Sequence, residues 1–250
     1  MAGEFLNFTE ERMFDFSNQV VLITGAAGAL GRVVARSFQG AGARLALLDS
    51  RSDRLPEIFA DVVGSSDHLF CHATDLTDSA AVTAAVTQVV NHFRRIDVLL
   101  NIAGGFRAGL PLHETPEEDW NLMFDLNARS VFNMCRAVVP HMLAQKSGKI
   151  VNVAARAALS GGPNMAPYVA SKSAVIRLTE SMAAELREAN INVNCVLPSA
   201  IDTPQNRRDM PNADYSHWVP PQDLAAVMMF LASDAARAIN GAALPVYGRG

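Results

Sequence analysis

Tyr168 and Lys172 stand four residues apart in YVASK, so on a helix they share one face. A phenol beside an ammonium can move a proton. Free tyrosine titrates near ~10, and a neighbouring cation favours phenolate, which predicts a depressed pKa for Tyr168. Such a group donates a proton in a reduction and removes one in an oxidation. A second chemistry-bearing stretch lies far upstream. TGAAGALG places Gly25, Gly28 and Gly31 between an apolar run and a helical pattern. Small residues there let the backbone turn and admit a pyrophosphate to helix N-terminal N–H groups. Asp49 ends the next apolar run, where a carboxylate accepts from both hydroxyls of an adenosine ribose and repels a 2′-phosphate. NAD(H) is therefore favoured, while Arg51 keeps NADP(H) open.

The elements that must position these groups follow from periodicity. Short, nearly continuous apolar runs appear at QVVLIT (19–24), RLALLD (44–49), HLFCHATD (68–75), DVLLN (97–101), KIVNVA (149–154), INVNCVLP (191–198) and AALPVYG (242–248). Between them lie segments of helical period at 31–42, 80–93, 117–145, 166–189 and 221–233. Strands buried on both faces read in this unbroken way. The expected fold is an α/β, Rossmann-type, doubly wound parallel sheet of about seven strands with helices on both faces. One domain is expected over 17–250, preceded by an N-terminal extension, 1–16. The segment 199–221 is too long and irregular for an ordinary connection and reads as a substrate lid.

Composition narrows the partners. A net charge of -4 leaves no cationic excess for nucleic acid. No run approaches the ~20 apolar residues that cross a bilayer, and the opening residues lack the pattern of a secretory signal. Cys71, Cys135 and Cys195 form no CxxC pair, which fits a reducing, cytoplasmic setting. His68, Cys71 and His72 lie close together in HLFCH, but an extended segment points them to alternate faces, so no metal is expected.

Taken in order, these motifs resemble the short-chain dehydrogenase/reductase family from about residue 17 to the end. Ala29 stands where the family's middle glycine is usual, with Gly28 one place earlier. NIAGG, from Asn101 to Gly105, is similar to the family's NNAG motif, and Asp75 in ATDLTD resembles its adenine-contacting residue. The resemblance implies catalysis by Tyr168, Lys172 and Asn127. It implies a nucleotide site made by Gly25, Gly28, Leu30, Gly31, Asp49, Asp75, Leu76, Asn101, Ala103, Gly104, Tyr168, Lys172, Pro198, Ile201 and Thr203, and a homotetramer, or at least a dimer, built on 117–145, 166–189 and the terminal strand.

One position departs from the family. Its catalytic serine lies thirteen residues before the tyrosine, and Ala155 occupies that place here. Ser160 is the nearest hydroxyl along the chain. The segments AGGF, ARAALSGGPNMAPY and LPSAIDTPQNRRDMPNADYSHWVP resemble the dihydropteridine reductases, a branch that also carries alanine there and reduces quinonoid dihydropterins with NADH. That likeness implies a substrate pocket of Phe106, Ala155, Met165 and Trp218, with Phe106 and Trp218 placed to stack a flat ring. The alternatives are a carbonyl reductase or secondary-alcohol dehydrogenase, and a nucleotide-binding sensor with weakened catalysis. Arg207 and Arg208 are expected to pair at the surface, the other reading being an anionic substrate.

Overall fold

Val20–Thr24 carries five apolar or β-branched residues in succession, and as strand β1 every one of them is buried. Only the middle of a sheet covered on both faces accommodates such a run. In the computed structural model, which describes residues 14–71 and 73–249, β1 pairs in parallel with β2 (Arg44–Leu48) on one side and β4 (Val98–Asn101) on the other. Strand β3 (His68–Phe70) extends one half, and β5 (Gly148–Val153), β6 (Ile191–Pro198) and β7 (Ala243–Val246) extend the other. The order is β3-β2-β1-β4-β5-β6-β7, all pairs parallel. Pro245 is tolerated in β7 because that strand forms an edge.

The connecting helices are α1 (Ala29–Gly40), α2 (Leu55–Ile58), α3 (Ser79–Phe93), α4 (Glu117–Phe124), α5 (Ser130–Gln145), α6 (Ala166–Leu186), α7 (Pro204–Asp209) and α8 (Pro221–Ala232). Two apolar cores result. Val34, Phe38, Leu224 and Met228 of α1 and α8 pack on one face of the sheet, and Val86, Val138 and Ile176 of α3, α5 and α6 on the other. The strand order reverses between β1 and β4, and in such sheets that point opens a crevice at the carboxyl ends of the strands.

Four boundaries differ from the expectation. The helix foreseen over 117–145 is interrupted by a π-helical turn, Asp125–Arg129, which carries Asn127. The third strand stops at Phe70 rather than 75. The segment 199–221 is less irregular than its composition suggests. A parallel bridge from Ile201 to Val219 closes its neck, Thr203 Oγ1 accepts from Asn206 N–H to cap α7, and Asp214 caps a tight turn, Tyr215–His217. Finally, Phe16, assigned to the N-terminal extension, is fully buried against Phe38 with ring centroids 4.6 Å apart, so the packed chain reaches back to Phe14. Residues 1–13 of that extension, and His72 of HLFCH, lie outside the described residues. Among the described residues no helix is long and apolar enough to cross a membrane, and no three His, Cys, Asp or Glu side chains gather as metal ligands.

The foot of the sheet hangs on one carboxylate. Asp97 is buried and accepts from the Val20 N–H at 2.8 Å while pairing with the Arg95 guanidinium at 2.9 Å. Removing it leaves a buried N–H and a guanidinium without their acceptor. Asp97→Ala is expected to lower the unfolding free energy by about 2–3 kcal/mol, and Asp97→Asn, whose amide oxygen still accepts from Val20, by less. Urea denaturation of the three proteins measures both.

Candidate active site

The crevice begins where β1 gives way to α1. Gly25 adopts φ +67°, and a Cβ there would lie 2.9 Å from the Ala103 Cα, so the chain after β1 and the chain after β4 approach too closely for any side chain. Thr24 reinforces the contact: its hydroxyl accepts from the N–H groups of Ile102 and Ala103, each at 3.1 Å. Gly31 is equally constrained, since a Cβ would sit 2.1 Å from the Gly25 carbonyl oxygen. Gly28 is the N-cap of α1 with extended backbone and no side-chain cap, leaving the first N–H groups of the helix facing a cavity of about 640 Å³. Ala29 begins the helix without strain.

That cavity is lined by Gly25, Gly28, Leu30, Gly31, Asp49, Arg51, Asp75, Leu76, Ala103 and Gly104, which brings together most of the expected nucleotide residues. Asp49 is buried, its Oδ2 accepting from Ala27 N–H and its Oδ1 from Arg51 N–H, both at 2.9 Å. It braces the glycine-rich turn as well as facing the cavity. The Arg51 guanidinium lies 3.7 Å from the same carboxylate. Asp75 accepts from the Thr77 hydroxyl and N–H, which hold its carboxyl below the usual range.

Asn101 departs from its expected part. Its side chain is buried and turned from the cavity, donating to Asn152 Oδ1 at 2.8 Å; Asn152 donates in turn to Thr179 and Thr179 to the Val175 carbonyl. It supports the nucleotide loop from behind. Three residues not foreseen do comparable work. Thr24 is one. Asn133, buried in α5, donates to the carbonyls of Leu76 and Thr77, and Ser130 lines the cavity while donating to the Leu126 carbonyl. A polar residue amid apolar helix positions was the available signal.

Gly104 joins this cavity to Asn127 and Lys172. A Cβ on Gly104 would lie 2.8 Å from Asn127 Oδ1 and 3.1 Å from Lys172 Nζ. Asn127 is buried and grips the next peptide twice, accepting from Gly105 N–H at 3.0 Å and donating to its carbonyl at 3.1 Å. Lys172 is buried as well, its ammonium donating to the Val153 carbonyl at 2.8 Å, at the end of β5. Burial pushes its pKa down to about 8. Tyr168 moves in the opposite sense to that expected: burial pushes its phenol up to about 12. The i, i+4 spacing does put both groups on one face of α6, but the phenol answers to desolvation alone, and the ammonium is turned toward Val153.

On the far side of Tyr168, Phe106 stands 65% exposed with its ring edge-on to the phenol at 4.8 Å. Ala155 is buried and precedes the short turn Arg156–Leu159 as its N-cap. Ser160 is exposed beyond that turn. Met165 packs beneath Gly162 at the start of α6. Trp218 stacks on Tyr215 at 4.7 Å, and among the described residues no ring contact joins it to Phe106 or Tyr168, so the two aromatics do not form one sandwich. Arg207 pairs with Asp202 through two bonds of 2.6 and 2.7 Å and lies over the Tyr215 ring. Arg208 donates to Gln205. Pro198, Ile201 and Thr203 occupy the end of β6 and the neck of the segment 199–221, outside the cavity lining.

A nicotinamide dinucleotide suits this arrangement: glycines whose Cβ positions are filled by backbone, open helix N–H groups and a carboxylate at the end of β2. The family model for short chain dehydrogenase matches residues 19–214. A 3-oxoacyl-[acyl-carrier-protein] reductase of Thermotoga maritima is 33% identical over 92% of this chain and 96% of its own length. The meso-2,3-butanediol dehydrogenase of Serratia marcescens is 36% identical over 93% and 94%. Among solved structures, a gluconate 5-dehydrogenase from Burkholderia cenocepacia in complex with NADP and tartrate superposes with a TM-score of 0.87 at 30% identity, covering 94% of this chain and 96% of that one. An NAD+-bound xylitol dehydrogenase gives 0.85 at 30% identity, covering 93% and 99%. These four names speak of oxo and hydroxy compounds and none of a pterin. Motif order, sheet topology and these likenesses agree that the chain belongs to the short-chain dehydrogenase family.

Proposed function

We propose that this oxidoreductase transfers hydride between a nicotinamide dinucleotide and a small organic substrate, with Tyr168 handling the proton and Lys172 and Asn127 supporting it. The observation that carries the reading is the meeting of Lys172 and Asn127 at Gly104, which lines the nucleotide cavity, with Tyr168 one turn before Lys172 on the same helix. The bound cofactor supplies or takes the hydride. The chain supplies the rest. Phe106 lies against the Tyr168 ring, and desolvation, which pushes the phenol up to about 12, keeps it protonated and able to donate. Lys172 places a buried positive charge on the same helix face, favouring the phenolate that donation leaves behind. Asp49 favours NAD(H); Arg51, beside it, supports NADP(H) as the second choice.

The substrate follows from Ala155. A carbonyl acceptor develops oxyanion charge, and losing one donor aimed at it typically costs about 10²–10³ in rate. A methyl group there favours an acceptor that needs no such donor, such as a conjugated quinonoid or imine-like ring, with a dihydropterin the leading example. Ordinary ketones and secondary alcohols form the second reading, supported by the chemistry in the relatives' names. Exposed apolar residues on α4 and α5, among them Trp120, Phe132 and Leu143, support assembly into a dimer or tetramer through these helices. The three buried free thiols suit a reducing cytoplasm.

Oxidation of NADH and NADPH, followed with enzymatically generated quinonoid dihydropterin and with a panel of ketones, tests the reading. Tyr168→Phe is expected to lose about 10²–10⁴ in kcat on any true substrate. Turnover confined to ketones would transfer the assignment to the second reading, and nucleotide binding without turnover would leave a sensor. Ala155→Ser is expected to raise kcat/KM on simple ketones by up to about 10²–10³ while leaving a quinonoid acceptor little changed. Equal gains on both classes would contradict the role given to the methyl group.

Burial of Lys172 also makes stability depend on pH. The folded chain sheds this proton near 8 and the unfolded chain near 10.5, so between those values the unfolded state binds more protons and stability rises with pH. Relative to Lys172→Met, wild type is expected to gain on the order of 3 kcal/mol across that window. Denaturant titrations at pH 7.5, 9 and 10.5 measure the difference, and parallel curves for the two proteins would refute it.

A further inference from the structure

Ser171 lies between Tyr168 and Lys172 in sequence, is completely buried, and touches neither cavity nor solvent. Its hydroxyl donates to the Tyr168 carbonyl at 2.8 Å and accepts from Asn127 Nδ2 at 3.0 Å. The bond to Tyr168 fixes the direction of the hydroxyl, since its one proton is used there. The lone pair left over is the acceptor that Asn127 uses.

The Asn127 amide is fully employed only with this partner. Its oxygen accepts from Gly105 N–H, and its nitrogen donates to the Gly105 carbonyl and to Ser171. Without Ser171, the remaining neighbour of that nitrogen is Met123 Sδ at 3.9 Å, a weak acceptor. A buried amide with one unmet hydrogen reorients or opens more often, and the Gly105 peptide opens with it. Gly104 precedes that peptide and lies against both Asn127 Oδ1 and Lys172 Nζ, so loosening Asn127 loosens the wall beside the ammonium.

We infer that Ser171 is a positioning residue for the reaction: its hydroxyl ties the helix of Tyr168 and Lys172 to Asn127, and through Asn127 holds the Gly104–Gly105 loop in working geometry. The inference rests on Tyr168, Lys172 and Asn127 being the proton-handling set, and its test is arranged so that one arm needs no substrate. Backbone amide exchange is measured by NMR in wild type and Ser171→Ala. Gly105 N–H is expected to exchange about tenfold faster in the variant, while Val175 and Thr179, one and two turns further along α6, keep their wild-type rates. Unchanged Gly105 exchange overturns the inference whatever the substrate proves to be. So does a rise of equal size along α6, which would mark Ser171 as a packing residue alone.

The second arm uses any acceptor that wild type reduces, with rates divided by the concentration of nucleotide-binding sites. Ser171→Ala is expected to lower kcat about tenfold with the KM for nucleotide within about twofold, and to add little to the loss in Asn127→Ala, because both act through one contact. Full kcat in Ser171→Ala, or losses that simply multiply in the double variant, would overturn it. Should Ser171→Ala not fold, Ser171→Cys, similar in size but a poor acceptor, carries both arms with the same expected directions. Absence of turnover in wild type would count against the substrate reading and leave the exchange result to decide this one.

Discussion

Everything at the site depends on how closely the chain leaving β1 passes the chain leaving β4. Gly25 has no room for a side chain against Ala103, and the Thr24 hydroxyl draws in two N–H groups of that same segment. The contact sits where the strand order turns back, so the loops diverge to either side of it and leave a crevice. Gly31 then allows α1 to begin directly over the turn. Because Ala103 is pinned from below, Gly104 and Gly105 are carried to the one place where the nucleotide cavity meets Asn127 and Lys172.

Burial determines the charge state of the groups gathered there. Desolvation disfavours either ion, so it raises the Tyr168 phenol and lowers the Lys172 ammonium. The phenol is therefore neutral across the ordinary pH range, while the ammonium keeps its charge below about 8 at a cost in stability. The Val153 carbonyl offsets part of the penalty on Lys172, and because it belongs to the last residue of β5, the position of the ammonium is set by the sheet rather than by a mobile loop. Such a site gives up stability below the pKa of Lys172 in return for a charge fixed in low dielectric, a common trade at active sites.

The sheet was legible because strands buried on both faces leave an unbroken apolar run, and the nucleotide turn because its glycines answer to backbone contacts that admit nothing larger. The π-helical turn was not. Residues 117–145 have helical period throughout, and the break at Asp125–Arg129 arises from where Asn127 must reach to hold Gly105, a tertiary demand that leaves no local trace. Asn133 and Ser171 escaped for a related reason: a small polar residue in a helix reads as surface until the structure shows it buried and bonded. The shift of Tyr168 was misjudged because i, i+4 spacing reports that two side chains share a face and says nothing of how dry that face is. Thr203-Pro204 does carry a helix-start signal, a capping hydroxyl followed by proline at the first helical position, inside a segment whose composition reads as irregular.

The segment 199–221 is held together from within. Its neck is closed by the Ile201–Val219 bridge, and its interior is tied by the Asp202–Arg207 pair, the Arg207–Tyr215 stack and the Tyr215–Trp218 contact. Arg207 is thereby matched by a carboxylate, so binding an anionic substrate through it would first break two short hydrogen bonds. Phe106, by contrast, stands exposed against the Tyr168 ring, and Ala155 is buried at the head of the turn Arg156–Leu159. Of these side chains Phe106 is the one left largely open, whereas Trp218 and Arg207 are already engaged within their own segment.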